Sequence, residues 1–307
     1  MPLSGARLRE LVRAAEQVLA EAQVPSPRHD AEALAAWCLG LERLEWFRVP
    51  RDETPVEVPR GRAERFQRAF AEAVDRRRRR EPLQRILGRA WFRRLEVEVH
   101  EGVFVPRPET ELVAGEAVDE AARVAATGRR PLVVDLCCGS GVIAVSVALE
   151  VPGSRVVAVD LAPEAVAATR ANATRAGVEL RCEHGDARDP ELLAELDGQV
   201  DVLVSNPPYI PPDAVPQDPE VREHDPDLAL YGGGPDGLAT PRAVAAAARR
   251  LLRPGGLLVM EHAEVQAAAL RALLEADFVE VATGRDLTGR ERWAVARRAP
   301  DVENSPS

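Results

Sequence analysis

Lysine is missing from this chain, and all 40 of its basic side chains are arginine. That absence excludes a phosphate-binding P-loop, whose lysine reaches the phosphates. Alanine, valine and proline are abundant beside the arginine, the pattern of codon bias in a GC-rich genome, so neither arginine number nor alanine-based helix propensity is read as a functional signal. No stretch approaches the roughly 18 uninterrupted apolar residues that a membrane span requires. A basic surplus is also absent: the formal charge is -10, which argues against stable binding to nucleic acid through phosphate contacts. Cysteine is scarce. Cys38, Cys137, Cys138 and Cys182 form no pair of C-x-x-C motifs, and His29, His100, His184, His224 and His262 are dispersed. A zinc or other metal site is therefore not expected, nor are disulfides, and the thiols read as buried. The opening residues also lack the composition of a targeting signal. Leu3, Leu8, Leu11, Val12, Ala15, Val18 and Leu19 share one helical face over Met1 to Ala22, but Glu10, Glu16 and Glu21 are interspersed, so this is an amphipathic core helix of a cytoplasmic protein.

The 307 residues, 46% of them hydrophobic, suffice for one large domain and a smaller one. Residues 1–85 carry helical patterns and no strand. Pro25-Ser26-Pro27 separates the first helix from a second over Arg28 to Leu39, and a third runs from about Gly61 to Arg80. The run Arg76 to Arg80 suits the negative end of a helix dipole and reads as a solvated helix end, contact with an RNA-rich partner being the alternative. Over residues 86–105, apolar residues alternate from Trp91 to Val105 around Glu101-Gly102, the pattern of a β-hairpin linking two domains. From residue 106 to 298 strands alternate with helices. Strands are expected at Leu132–Leu136, Arg155–Leu161, Val178–Cys182, Val200–Ser205 and Gly256–Glu261, with a final antiparallel pair at Phe278–Thr283 and Glu291–Arg297. The predicted fold class is α/β, a doubly wound sheet in which ligands lie beyond the carboxyl ends of the strands. Residues 299–307 read as a disordered tail.

Chemistry concentrates at those carboxyl ends. The first strand runs into Cys137-Cys138-Gly139-Ser140-Gly141, a turn where ligand can approach the backbone; the third glycine of a dinucleotide fingerprint is absent, so a ligand without phosphates fits better. Asp160 ends the second strand, placed either to accept the two hydroxyls of a ribose or to cap the next helix. Asp186, in Gly185-Asp186-Ala187, offers a carboxylate to an adenine amino group. The fourth strand ends in Asn206-Pro207-Pro208-Tyr209. Two prolines stop the sheet. The Asn206 oxygen and the Pro207 carbonyl can accept both hydrogens of one NH2 group and hold its nitrogen before a methyl donor, while the Tyr209 ring packs on a planar target.

Together these segments resemble the release-factor glutamine methyltransferase family (HemK/PrmC type), along nearly the whole chain. Asn206-Pro207-Pro208-Tyr209 matches its signature. Phe104 to Glu111, containing Pro106-Arg107-Pro108-Glu109-Thr110, matches the segment that walls its pocket, and Leu228 to Gly233 with Asp236-Gly237-Leu238 resembles its later active-site loop. The resemblance implies a class I methyltransferase with S-adenosylmethionine as cofactor, acting on the N5 of a glutamine in the Gly-Gly-Gln loop of a peptide-chain release factor. It places Arg107, Glu109, Thr110 and Asn206 to Tyr209 against substrate, with Asn206, Pro207 and Tyr209 catalytic. Cys137 to Gly141, Asp160, Asp186, Ala187 and Asn206 face the cofactor, and the helical residues 1–85 grip the partner. The chain departs from the family pattern at Cys137 (usually glycine), Cys138 (commonly threonine), Ala187 (often aromatic), His224-Asp225-Pro226 (typically Glu-Pro) and His262-Ala263 (a glycine-containing step), as a divergent branch. Asn-Pro-Pro-Tyr also serves exocyclic amines, so a DNA or rRNA methyltransferase is the alternative enzyme, and a non-catalytic cofactor-binding paralogue the alternative without chemistry.

Overall fold

The structure, a computed structural model, describes residues 3–300; from residue 301 onward the expected tail lies outside the described residues. The chain divides into two compact units, one of residues 1–88 with 216–224 and the other of residues 89–215 with 225–307.

In the first unit, α1 (Gly5–Glu21), α2 (Pro27–Leu39), α3 (Arg62–Arg78), α4 (Leu83–Leu87) and the later α8 (Pro219–His224) supply the regular structure. Ser4 caps α1, its hydroxyl accepting from the Arg7 N–H at 3.2 Å. Pro27 opens α2, where its missing N–H costs nothing, and Gly40 closes it in the left-handed conformation. Leu8, Val12 and Leu19 of α1 meet Leu34, Leu39, Phe66 and Phe70 in one apolar core. Of Arg76 to Arg80, Arg78 and Arg79 are exposed, as expected of a solvated helix end, but the rest of the run departs from that reading. Arg77 is buried between Asp30 at 2.7 Å and Glu220 at 2.8 Å. Arg80 pairs with Glu220 and Asp218, Arg76 with Glu81, and Arg78 and Arg79 with Asp75. A guanidinium cannot be buried unpaired, and the acid that balances Arg77 and Arg80 is 143 and 140 residues away in sequence. Arg77 and Arg80 are thus spent on an internal carboxylate, while Arg78 and Arg79 pair with Asp75 at the surface.

The second unit is a seven-stranded sheet. In chain order its elements are α5 (Thr110–Ala126), β3 (Leu132–Leu136), α6 (Val142–Glu150), β4 (Arg155–Asp160), α7 (Pro163–Ala176), β5 (Arg181–His184), β6 (Val200–Ser205), α9 (Asp227–Leu230), α10 (Ala239–Leu251), β7 (Leu252–Glu261), α11 (Ala267–Leu274), β8 (Phe278–Arg285) and β9 (Glu291–Arg298). They are preceded by a hairpin of β1 (Arg89–Phe92) and β2 (Leu95–Glu98). The sheet order is β5-β4-β3-β6-β7-β9-β8, parallel from β5 to β7 and antiparallel at β9 and β8. Both faces are covered, which is why β3 and β6 are buried at every position. Val133, Val202 and Val259 lie in one core with Val113 of α5 and Ile143 of α6; Val134, Leu203 and Leu258 lie in the other with Val244 of α10 and Leu270 of α11.

Several boundaries differ from the sequence reading: β7 begins at Leu252 rather than Gly256, and β8 runs on to Arg285. The hairpin turns at Arg93-Arg94 and ends at Glu98, not around Glu101-Gly102. Asn172 of α7 occupies both backbone groups of Glu98, accepting its N–H at 2.8 Å and donating to its carbonyl at 3.3 Å, where the pairing stops. β5 begins at Arg181, later than expected, because Gly177 closes α7 in the left-handed conformation and Val178 N–H returns to the Ala173 carbonyl at 3.0 Å. The strands step outward one way from β3 through β4 to β5, then the other way through β6 to β7. The crevice beyond their carboxyl ends is the switch point of the sheet.

Candidate active site

Every element ending at that crevice contributes a polar side chain, and backbone hydrogen bonds hold the turns in place. β3 runs into Cys137 to Gly141, and α6 then begins without a side-chain cap of its own. Asp135 supplies one from inside the strand, its Oδ2 accepting the Ala144 N–H at 3.1 Å. Asp160, at the tip of β4, accepts the N–H of Gly139 at 2.8 Å and of Ala162 at 2.9 Å. It thus performs the helix-start role and ties down the glycine turn at once. Thr169 of α7 donates to the Gly139 carbonyl at 3.0 Å, and Asn172 donates to that of Ser140 at 2.9 Å. Gly141 has φ +79°, and a Cβ there would come within 2.6 Å of the Thr169 side chain, so no other residue fits.

Cys137 stands where the family pattern has glycine, and the structure gives a reason for glycine: its φ is +60°. A side chain in the left-handed region costs about 1–2 kcal/mol. Cys137→Gly is therefore expected to be more stable than Cys137→Ala by ~1 kcal/mol, the reverse of the usual order, in matched urea unfolding curves. An alanine variant of equal or greater stability would show that the position carries no such strain. Burial, then the charge of Asp160, pushes the Cys137 thiol above its ordinary range, with Asp135 and Asp186 acting in the same direction. Three acidic side chains thus surround this turn. Asp135 itself is fully buried and its carboxyl is pushed up to about 8, by burial first and by the nearby Asp160 last. Its Oδ1 is buried without a hydrogen-bond partner.

The corner after β6 is interlocked with two other loops. Ser205, the last strand residue, donates its hydroxyl to the Leu136 carbonyl at 2.7 Å, joining the tips of β6 and β3. Asn206 turns its amide nitrogen to Thr110 Oγ1 at 3.4 Å, and that hydroxyl lies 2.8 Å from Glu261 Oε2 at the end of β7. Gln266 donates to the carbonyls of Tyr209 at 2.7 Å and Asp236 at 2.9 Å. Gly237 has φ +73°, and a Cβ on it would meet the Tyr209 carbonyl at 2.3 Å, so the loop from 232 to 237 lies flush on the Asn-Pro-Pro-Tyr corner only with glycine there. The Tyr209 phenol is raised, by burial and then by Glu261, with Glu109, Arg107 and Arg292 also around it. It stays protonated at neutral pH.

The residues singled out from the sequence divide into four sets. Cys137 to Gly141 and Asn206 to Tyr209 follow the carboxyl ends of β3 and β6, and Asp160 is the last residue of β4. Glu109 and Thr110 open α5, with Thr110 buried against Glu261. Arg107 and Asp186 are engaged by the protein itself. Arg107 pairs with buried Asp225 and stacks on Phe104, its guanidinium 5.0 Å from the ring centre. Asp186 Oδ1 accepts from Arg188 Nε at 3.1 Å. Ala187 packs, partly buried, on the core beneath the sheet. Asp135, Glu261 and Gln266 were not singled out. The first two had a signal: each is an acid in or ending an otherwise apolar, buried strand, where an ionisable group needs a partner or a task.

Comparison with known proteins agrees with this architecture. Residues 10–88 match the PrmC N-terminal domain and residues 115–218 the methyltransferase small domain. The release factor glutamine methyltransferase of Streptomyces coelicolor is 47% identical over 291 residues, covering 94% of this chain and 97% of that protein. A 4-amino-L-phenylalanine/4-methylamino-L-phenylalanine methyltransferase of Streptomyces pristinaespiralis is 46% identical over 211 residues, covering 67% of this chain and 70% of that protein. Among solved structures, the 16S rRNA N2 G1207 methyltransferase of Thermus thermophilus, in complex with AdoMet and guanosine, shares the fold with a TM-score of 0.50 at 23% identity, covering 68% of this chain and 49% of that one. With near-complete coverage at such identity, a corner after β6 that reads Asn-Pro-Pro-Tyr and a class I sheet beneath it, the chain belongs to the release factor glutamine methyltransferase family of S-adenosylmethionine-dependent enzymes.

Proposed function

We propose that this protein methylates the side-chain nitrogen (N5) of a glutamine in the Gly-Gly-Gln loop of a peptide-chain release factor, in the cytoplasm, as part of translation termination. The observation that carries the reading is the Asn206 corner, with its amide nitrogen taken by Thr110. The Asn206 oxygen and the Pro207 carbonyl then supply two acceptors, held rigid by consecutive prolines, for the two hydrogens of one planar NH2. An amide nitrogen is a poor nucleophile because its lone pair is delocalised. Two acceptors that draw it toward tetrahedral geometry release that pair, an interaction that strengthens in the transition state. The Tyr209 ring lies against the planar group. The nitrogen gains one carbon and loses one proton, which leaves to solvent.

The crevice fits the donor. When bound, S-adenosylmethionine supplies a methyl group on a cationic sulfonium. Asp160 and Asp186 beside Cys137 lend the crevice negative charge, and Asp135 adds to it once it loses its proton, which suits a ligand with sulfonium and ammonium charges better than one with phosphates. Asp160 is assigned the ribose hydroxyls, Asp186 and Ala187 the adenine, and Gly139 to Gly141 the close backbone approach. The unpartnered Oδ1 of Asp135 is assigned to the cationic side, the amino group of the methionine moiety. The helical unit of residues 1–88 is assigned the grip on the release factor.

An aromatic amine presents the same planar NH2, and the Streptomyces pristinaespiralis relative is named for such substrates. The match of residues 10–88 to a PrmC N-terminal domain favours a protein partner, since a free amino acid leaves that unit without a task. Labelled-methyl transfer decides the matter, with purified release factor, total RNA and 4-amino-L-phenylalanine offered in parallel. Label on the release-factor glutamine is expected; label on RNA alone, or on the amino acid alone, overturns the assignment.

A further inference from the structure

We propose that Glu261 is a positioning residue for the transfer: acting through Thr110, it sets which end of the Asn206 amide faces the acceptor nitrogen. This rests on the functional reading above and adds the residue that makes Asn206 an acceptor at all.

An asparagine side chain carries an acceptor at one end and a donor at the other, and a half-turn exchanges them. Only the oxygen-inward orientation receives a substrate N–H. The reverse sets two donors against each other and leaves both unsatisfied. The far end of the hydrogen-bond chain decides between them. Thr110 Oγ1 lies 2.8 Å from Glu261 Oε2 and 3.4 Å from Asn206 Nδ2. An ionised carboxylate accepts and cannot donate, so the single hydroxyl proton of Thr110 is committed to Glu261. Thr110 then has only lone pairs to offer Asn206, which must answer with its NH2 and turn Oδ1 the other way. Glu261 is 3% exposed, Thr110 also 3%, so water does not compete for either. The three residues come from three elements, the end of β7, the start of α5 and the residue after β6, and their agreement is a product of the fold.

The chain reverses when Glu261 takes up a proton. A carboxylic acid donates to Thr110, the hydroxyl donates to the Asn206 oxygen, and the amide turns its nitrogen to the substrate. Burial, opposed by the Thr110 hydrogen bond, brings the Glu261 carboxyl up to about 7. Glu109 raises it further, while Arg292 of β9 and a hydrogen bond from the Asn206 amide lower it, the latter favouring the same amide orientation as Thr110 does, and the neighbouring Tyr209 is a neutral phenol. The sign follows: the carboxylate, and with it the productive orientation, prevails above that pH and is lost below it.

The test uses the full chain with S-adenosylmethionine and release factor, measuring kcat and KM across pH, with cofactor affinity by calorimetry. Wild-type kcat is expected to fall about tenfold per pH unit well below the Glu261 titration. In Glu261→Gln nothing titrates, and the amide can turn either its carbonyl or its NH2 to Thr110, so the orientation is no longer fixed: the acid limb flattens and kcat at high pH drops ~10- to 100-fold. Thr110→Val is expected to lose a similar factor, and Thr110→Ser to recover at least about tenfold over Thr110→Val, while KM and cofactor affinity move by less than ~3-fold in each. A structural role alone would leave the acid limb where it is. Wild-type turnover with an unshifted limb in Glu261→Gln overturns this inference and leaves the functional reading intact. A wild-type protein that transfers no methyl to release factor, with cofactor bound, overturns the functional reading and this inference with it.

Discussion

Asn206→Ala is expected to reduce kcat by about 10²- to 10³-fold, the range measured when one preorganised hydrogen-bonding group is removed from a reacting centre. The substitution deletes one of two acceptors facing the substrate nitrogen, so the amide keeps its planar, delocalised form for longer along the reaction path. Cofactor affinity should fall far less, because Asp135, Asp160 and the glycine turn lie on β3 and β4 and keep their own hydrogen bonds. Thr110 loses a donor but retains Glu261 at 2.8 Å, so no buried group is stranded. Single-turnover methyl transfer measured beside calorimetric cofactor binding separates the two effects. Near-normal turnover in this variant cannot be reconciled with a role for Asn206 in presenting the nitrogen.

Asp135→Asn is expected to make the protein more stable and less able to bind its donor. Asp135 is fully buried, and its carboxyl is pushed up to about 8, whereas in the unfolded chain it ionises near the ordinary value of about 3.9. Between those two values the folded state holds a proton that the unfolded state has released. Stability from this group is therefore complete below the lower value and is lost as pH rises through the upper one, at up to about 1.4 kcal/mol per pH unit. Asparagine keeps the shape and does not titrate. The variant should melt higher than wild type at pH 8, with the difference shrinking toward pH 4. Its affinity for S-adenosylmethionine should fall ~10- to 100-fold, the worth of a hydrogen bond to a charged group, if Oδ1 meets the methionine amino group. Wild-type affinity should in turn rise with pH toward 8, since a cationic amine favours the carboxylate. Melting curves of wild type and variant that run parallel across pH would show that Asp135 is ionised throughout. Unchanged donor affinity would remove it from the cofactor site.

Much of the site was legible as pattern. Asn206-Pro207-Pro208-Tyr209 announces itself because two prolines after an apolar run can only end a strand, and the acid closing Arg155 to Asp160 is visible as a break in hydrophobicity. Asp135 and Glu261 were visible in the same way but were passed over. Their meaning depends on what surrounds them: an acid in an apolar run reads alike whether it caps a helix, pairs with an arginine or stays protonated in a cavity. Arg77 and Arg80, within the run Arg76 to Arg80, were misread for a related reason. A run of like charges looks solvated along the sequence, and the carboxylate of Glu220 that neutralises Arg77 and Arg80 arrives only through tertiary contact. The hairpin boundary likewise followed from a side chain, Asn172, that lies 74 residues from the Glu98 backbone it occupies.

By itself the sequence determined the class of sheet and the end of it where ligands bind, because hydrophobic period, proline placement and glycine turns are local properties that act through backbone geometry alone, and the resemblance carried by Phe104 to Glu111 and Asn206 to Tyr209 pointed to the family. Only the tertiary structure decided which way the Asn206 amide points, which buried acids keep their protons and which arginines are spent internally. Those are questions of desolvation and of the nearest opposite charge, and both depend on residues that the chain brings together only by folding.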